Sequence, residues 1–442
     1  MNYLERITHP YNKSNHAPTF PFILIASSIG NIVEWYSFLA YGYLTTVIST
    51  LFFPQFTSSK GVVLAFLIFA AGFLSRPIGA VIFGYLGDKI GRQKTLIASQ
   101  AMMAIPSFLI CILPTYHQIG IYAAIMLTIC RVFQGIAIGG EYTNSLCYIA
   151  EIAPPNKRGL FISIIPASTA LGILLSSLIT FAFIDYMSST TLYTWGWRII
   201  FFVGFVLCLF SVWMRYYLPE SFDFIKSQHQ NKKTELSFLS YFLNIPALMS
   251  TLIMISLAIV YAYLYQLLYI WAPTFIVTTL NFNYNVALLL NSGVMLLFLL
   301  SIVIGGLLVD YFNSKKVILM ALLVSLFTFI SFTFFPNIVL YIHSLFTLLL
   351  FFSIISITFG IFVGGCSVFF AEIFPIEIRS RSLSIFYNIP FAIVGGLTPT
   401  FLEWLVTKSL FLQIAYCSIG IALLGLFSTF FIKDKVGNQL NK

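Results

Sequence analysis

Four strongly charged residues, Glu34, Arg76, Arg131 and Glu141, stand inside long apolar runs where water does not reach. Ionisable side chains are costly to keep in such surroundings, so each marks a candidate for function. The chemistry open to a carboxylate there is proton uptake and release. Burial raises a carboxyl pKa and a nearby guanidinium lowers it, so moving the guanidinium loads or discharges the proton. Glu34 is the first candidate for such a proton site and Glu141 the second. A guanidinium also grips a carboxylate through two parallel hydrogen bonds, which suits Arg131 as a partner of Glu34 or as a clamp on a substrate carboxylate. The same groups could equally form static ion pairs that lock helices together.

The elements that hold these residues are membrane-spanning helices. Of the 442 residues 59% are hydrophobic and 8% charged, too few charges to cover a water-facing surface. A helix needs about 20 apolar residues to cross a hydrocarbon core of about 30 Å. Runs of that kind predict spans near residues 22–50, 62–86, 96–114, 120–149, 160–185 and 196–217, then 247–276, 285–309, 317–335, 338–370, 383–406 and 410–432. Glu34 and Arg131 then lie about 18 Å from the end where their helix enters, near mid-bilayer. Arg76 and Glu141 sit closer to the basic side. No further strongly charged residue is expected deep in a span; Asp185, Arg198 and Glu403 are placed at outer helix ends.

The remaining polar residues set topology. Residues 1–20 lack the basic segment, short apolar core and cleavage site of a secretion signal, so the first helix is expected to stay as a span. Lysines and arginines including Lys94, Lys157, Arg215, Lys232, Lys315 and Arg381 fall on the side of the termini, against Lys60, Lys408 and Arg198 opposite. By the positive-inside rule both termini face the cytoplasm. The net charge of +9 is spread over short loops, not gathered into a nucleic-acid-binding patch. The six cysteines lie in apolar runs without a Cys-x-x-Cys pair and the five histidines are scattered, so no metal or cofactor is expected. No P-loop or hydrolytic constellation suggests an enzyme or an ATP-driven pump.

An internal repeat organises the spans. Gly84, Asp88, Lys89, Gly91, Arg92 and Lys94 after the second span are echoed by Gly306, Asp310, Asn313 and Lys316 after the eighth. Glu151, Pro154 and Arg158 after the fourth are echoed by Glu372, Pro375 and Arg379 after the tenth, at an offset differing by one position. Six helices duplicated into twelve put a substrate site between the halves near the midplane. The expected fold is an all-α membrane protein of twelve transmembrane helices in two six-helix pseudo-symmetric bundles. Its divisions are a tail at 1–20, bundles at 21–218 and 247–432, a linker at 219–246 and a tail at 433–442. The two aspartates, at cytoplasmic helix ends, are suited to contact a neighbouring helix in one conformation only and so to gate alternating access.

The stretch Gly84 to Lys94 resembles the loop signature of the major facilitator superfamily. Three further segments narrow the resemblance: Gly30-Asn31-Ile-Val-Glu34-Trp35-Tyr36-Ser37-Phe38, Ser75-Arg76-Pro77, and Arg131 to Tyr142 with Gln134, Gly135, Gly139, Gly140 and Glu141. They look like the metabolite:proton symporter branch, which includes proline/betaine and dicarboxylate transporters. The resemblance implies uptake of a small organic solute with protons across the inner membrane by a protein that spans the bilayer, expected to be a monomer. A zwitterion such as proline or betaine competes with a di- or tricarboxylate, and Arg131 serves either; the lack of an evident cation in the second half favours the zwitterion. The family usually carries an aspartate where this chain has Ser37. That departure leaves an uncoupled facilitator or exchanger open. Asn31, Tyr36 and Ser37 join the candidate site from helix 1. Trp35, Tyr36 and Tyr41 of helix 1, with Tyr265, Gln266, Tyr269 and Trp271 of helix 7, could frame a quaternary ammonium, with packing or interfacial aromatic belts as the competing explanation.

Overall fold

The computed structural model describes residues 20–56, 58–220, 241, 244–280, 282–334, 345–375, 378–408 and 410–432. Twelve helices among them are long and apolar enough to cross a membrane. They are α1 Pro21–Tyr43, α2 Lys60–Lys89, α3 Arg92–Ile112, α4 Ile121–Ile152, α5 Pro155–Tyr186 and α6 Ser189–Tyr216. The second set is α7 Ile245–Val277, α8 Asn285–Phe312, α9 Ser314–Ser331, α10 Leu348–Glu372, α11 Arg379–Val406 and α12 Phe411–Phe430. In hydrocarbon every backbone N–H and C=O must be satisfied within its own segment, which is why apolar runs of this length become helices.

The expected spans fall on these helices with one break. The first was expected to run to residue 50, whereas α1 ends at Tyr43 and Thr45–Phe52 forms a separate short helix. Thr45 donates its hydroxyl back to the Gly42 and Tyr41 carbonyls at the joint. Residues 338–344 of the expected tenth span, both tails up to residue 19 and from 433, and most of the linker lie outside the described residues.

Close packing inside the first half depends on small residues. A Cβ on Gly79 would stand 1.8 Å from the Ile136 carbonyl oxygen, and one on Gly135 would stand 1.8 Å from that of Gly72. One on Gly139 would meet the Arg76 carbonyl at 2.2 Å. Helices α2 and α4 therefore touch backbone to backbone, as small residues allow in membranes.

The two halves meet along two seams, α2 against α11 and α5 against α8. These seams exchange under the sequence repeat, because α8 repeats α2 and α11 repeats α5. Gly84 lets α2 approach Arg381 Cα, with a Cβ there only 3.1 Å away; its counterpart Gly306 brings α8 to the Gly159 carbonyl, 2.5 Å from such a Cβ. The loops that follow share a backbone form: Gly91 has φ 105° and Asn313 has φ 71°. This left-handed region suits glycine and asparagine best.

Helices α2, α7 and α11 depart from regular geometry within their spans. Helix α2 breaks at Ser75, where Pro77 removes a helix donor and the Ser75 hydroxyl donates to Gly72 and Val132 carbonyls at 2.9 Å each. Helix α7 loosens into a π-turn at Leu267–Trp271 just before Pro273, and α11 does so at Phe391–Gly395 just after Pro390. Such turns commonly mark functional positions.

Candidate functional site

The break in α2 turns Arg76 into the space between the halves. Its guanidinium is 0% exposed and lies over the rings of Phe391, Phe73 and Trp35, at 5.2, 5.5 and 5.6 Å. Nε donates to Asn388 Oδ1 at 3.0 Å, while Nη1 and Nη2 have no partner. Asn388 is held in turn, its Nδ2 donating to the Gly139 and Ser384 carbonyls at 2.7 and 2.8 Å. A residue of the second half thus orients the arginine of the first and leaves its two terminal amino groups free.

Glu34 of α1 is 2% exposed, and neither carboxylate oxygen has a hydrogen-bond partner. Its neighbour Trp35 meets Tyr265 of α7 edge-on at 5.5 Å. Tyr261, Tyr387 and Phe391 complete an aromatic wall, with Tyr387 stacked on Phe391 at 4.4 Å and Tyr142 at 4.8 Å. Where the halves meet, Trp35 thus joins one bare carboxylate to one half-used guanidinium among rings, a region called the chamber below. Buried polar atoms are normally satisfied, so such orphans call for a ligand or a proton.

The other helix 1 candidates, Tyr36, Asn31 and Ser37, face the first half, and the Ser37 hydroxyl and Asn31 Oδ1 have no hydrogen-bond partner. The Tyr36 hydroxyl donates to the Ile200 carbonyl at 3.0 Å and ties α1 to α6. Asn31 Nδ2 donates to the Ser27 carbonyl at 3.4 Å, with its Oδ1 free. Ser37 faces Gly204 of α6, where a Cβ would stand 2.7 Å from its hydroxyl oxygen.

Arg131 does not pair with Glu34, the first of the two roles expected of it, although its Nε and Nη2 have no hydrogen-bond partner. It is 0% exposed, donates to Gln134 Oε1 at 2.6 Å and to the Phe38 carbonyl at 3.3 Å, and lies over the Phe38 and Tyr41 rings at 3.9 and 4.6 Å. Phe38 and Phe73, edge to face at 5.0 Å, stand between it and Arg76. The spacing along the chain placed both charges at one depth; the side on which each points is a matter of packing.

Glu141 is not a free carboxylate. Arg215 of α6 donates to both of its oxygens, Nη1 at 2.8 Å and Nη2 closer still, and Ser99 adds a bond of 2.7 Å. Arg215 also donates to the carbonyls of Leu96, Ser27 and Ala26, so one guanidinium joins α1, α3, α4 and α6. Arg215 lies in the last turn of α6, on the basic side where the sequence places it, but its guanidinium turns inward and is 0% exposed. Tyr269 and Trp271 also differ from the belt expectation. Both are buried, with Tyr269 sharing a hydrogen bond of 2.6 Å with Ser356 and Trp271 donating to Glu403 at 3.1 Å.

At the basic end the repeated loops close both seams. Asp88 accepts from Arg92 Nη1 at 2.8 Å and from the Arg381 backbone N–H, at the start of α11, at 3.2 Å. Asp310 accepts from the Gly159 and Leu160 backbone N–H groups near the start of α5 at 2.7 and 3.0 Å. Negative charge is favourable at a helix N-terminus, and each aspartate occupies one across the seam. The repeated Glu and Arg cross as well: Arg158 approaches Glu372 at 3.8 Å and Arg379 approaches Glu151 at 3.9 Å. Arg92 reaches Glu151 at 3.4 Å. Lys89 lies instead over the Tyr85 ring at 5.3 Å, and Lys316 enters this network only through its backbone N–H, which Asn313 caps at 3.1 Å.

Comparison with known proteins accords with this architecture. The sugar (and other) transporter family matches residues 22–240. The glycine betaine/proline/ectoine/pipecolic acid transporter OusA of Dickeya dadantii is 30% identical, over 94% of this chain and 84% of its own. The proline/betaine transporter of Escherichia coli K12 is 31% identical over the same shares. The chain belongs to the major facilitator superfamily. The citrate-proton symporter of Klebsiella pneumoniae, 30% identical, covers 84% of this chain and 82% of its own. Among solved structures the proton:xylose symporter XylE, bound to 6-bromo-6-deoxy-D-glucose, superposes with a TM-score of 0.79 at 19% identity, covering 94% of this chain and 96% of that one.

The protein is thus a multi-pass membrane transporter. Within this superfamily frame, the sequence singled out Glu34 and Arg76 as buried charges, but the Glu34–Arg131 pair it offered is not formed, and Glu34 has no arginine bonded to it. It missed Arg215 because a charge one turn from a helix end reads as a loop charge. It noted Tyr265 and Gln266 without placing them; their signal was a polar pair in an apolar run just ahead of Pro273.

Proposed function

We propose that this transporter takes up a small zwitterionic solute, proline or a betaine, together with a proton, Glu34 carrying the proton and Arg76 holding the substrate carboxylate. One observation carries the reading: a carboxylate and a guanidinium, both buried and each with unpartnered atoms, lie on either side of Trp35, the residue next to Glu34 whose ring lies under Arg76. The free Nη1 and Nη2 of Arg76 suit a bidentate carboxylate contact. Glu34, with no bond of its own, takes up a proton when water reaches it from one side and gives it up when the chamber opens to the other. A zwitterion adds no net charge, so the loaded state with Glu34 protonated carries the single positive charge of Arg76. A second substrate carboxylate would face Glu34. The names of the relatives from Dickeya dadantii and Escherichia coli support the zwitterion, and that of the Klebsiella pneumoniae relative supplies the carboxylate alternative.

In this reading the basic end with Asp88, Asp310, Glu151, Arg158, Glu372 and Arg379 is the cytoplasmic gate, both termini face the cytoplasm, and the protein resides in the inner membrane. Its bundles are 21–218 and 247–432 joined by a linker at 219–246, and it works as a monomer in lipid without enzymatic activity. Uptake into proteoliposomes tests the proposal, with labelled proline, glycine betaine and 2-oxoglutarate, with and without an inwardly directed proton gradient. Wild type is expected to concentrate a zwitterion only with the gradient, and Glu34→Gln to lose that accumulation while still exchanging solute across the membrane. Undiminished accumulation by Glu34→Gln removes Glu34 from the proton route. Preference for 2-oxoglutarate overturns the substrate class, and uptake indifferent to the gradient overturns coupling.

A further inference from the structure

Gln266 is 0% exposed, and neither its amide nitrogen nor its amide oxygen has a hydrogen-bond partner. A carboxamide brings two donors and an acceptor with two lone pairs, and keeping them buried and empty costs stability that a ligand can offset. Its surroundings place it at the chamber. Nε2 lies 3.4 Å from where a Cβ on Gly395 would stand, and Gly395 closes the π-turn that begins at Phe391, the ring nearest the Arg76 guanidinium. The preceding residue, Tyr265, has an unpartnered hydroxyl and touches Trp35, whose indole N–H is also unpartnered. Arg76 belongs to the first half and Gln266 to the second, so the orphan atoms come to one chamber from both halves.

We propose that Gln266 determines specificity at the nitrogen end of the substrate, and that the chamber takes amino acids bearing an N–H, such as proline, in preference to fully N-methylated betaines. The inference rests on the zwitterion reading and sharpens it. A protonated secondary or primary amine donates to the Gln266 carbonyl oxygen. A quaternary ammonium has no hydrogen to give and leaves that oxygen as empty as before. The usual seat of a quaternary ammonium is an aromatic face. Here the faces of Trp35, Phe73 and Phe391 are already taken by Arg76, at 5.2 to 5.6 Å. A second cation on the same rings would meet the charge of the guanidinium.

The test is uptake of labelled proline and glycine betaine by full-length protein in proteoliposomes, for wild type, Gln266→Met and Gln266→Asn. Wild type is expected to show a KM for proline lower than that for betaine by at least about tenfold, the factor that one good hydrogen bond supports. Gln266→Met should bring the ratio close to one by raising the proline KM, and Gln266→Asn should fall between. Binding followed by tryptophan fluorescence of the purified variants gives the same ratio where a variant transports too slowly to measure. A wild type that takes betaine as well as proline overturns the proposal, as does a ratio unaltered in Gln266→Met. Transport of a dicarboxylate in place of both solutes would instead sink the zwitterion reading on which the proposal rests, and the two failures are thereby told apart.

Discussion

Arg215 and Glu141 satisfy each other almost completely, whereas Glu34 is left bare, and in the proposed mechanism that difference separates a structural carboxylate from a working one. A buried pair that loses one partner leaves an uncompensated charge, at a cost of about 3–5 kcal/mol. Arg215→Met is therefore expected to lower the thermal unfolding midpoint of purified protein clearly. The double change Arg215→Met with Glu141→Leu should recover part of that loss, since a well-packed apolar pair replaces both charges. A single variant as stable as wild type but dead in transport would assign the pair to the transport cycle. The sequence could show that Glu141 was buried but not what met it. Long basic side chains near a helix end usually extend to water. Arg215 turns inward because Gly30 leaves the gap: a Cβ there would stand 1.9 Å from Arg215 Nη2. That fit exists only between α1 and α6 in space.

At the scale of the element, α2 shows how a local break makes a site. Ser75 and Pro77 interrupt the ladder, and the turn they create delivers Arg76 to the chamber while Gly79 keeps α2 on α4. Because the atom that a new methyl would meet at Gly79 is backbone, at 1.8 Å, no rotamer change relieves it. Gly79→Ala is expected to push the helices apart and cut both the unfolding temperature and uptake, while Ile78→Ala, at a residue 54% exposed toward lipid, should leave the melting profile near wild type. Equal melting of the two variants would show that α2 and α4 can separate at little cost. The helices were legible because apolar length is a property of one segment. The break after Tyr43 and the π-turns in α7 and α11 were not, since the run of apolar residues continues through them. The pairing of Arg76 with Asn388, 312 positions apart, had no local signal at all.

Across the whole molecule the repeat makes two seams that are alike in backbone and unlike in charge. Asp88 is backed by Arg92, which reaches Glu151, and Glu220 caps the Arg92 backbone N–H at 2.8 Å. At the equivalent place after Asp310 the chain has Ser314, with no guanidinium to fill the corner. A cavity of about 410 Å³ lies there instead, bordered by Asp310, Asn313, Lys315, Arg158 and Glu372. A polar space of that size admits water, and water screens the Arg158–Glu372 pair more than the buried Arg92 cluster is screened. The α5–α8 seam should then open ahead of the α2–α11 seam. Ser163 and Ser384 are repeat mates lying against Gly306 and Gly84, and both are 0% exposed in this closed form. Placed one at a time in protein whose native cysteines are replaced, Ser163→Cys is expected to react with a membrane-impermeant maleimide from the basic side faster than Ser384→Cys. Adding Asp310→Asn should raise the first rate further, because the aspartate that holds the start of α5 is then neutral. Equal rates at the two cysteines would mean that the seams part together, and that the missing arginine after Asp310 has no mechanical consequence.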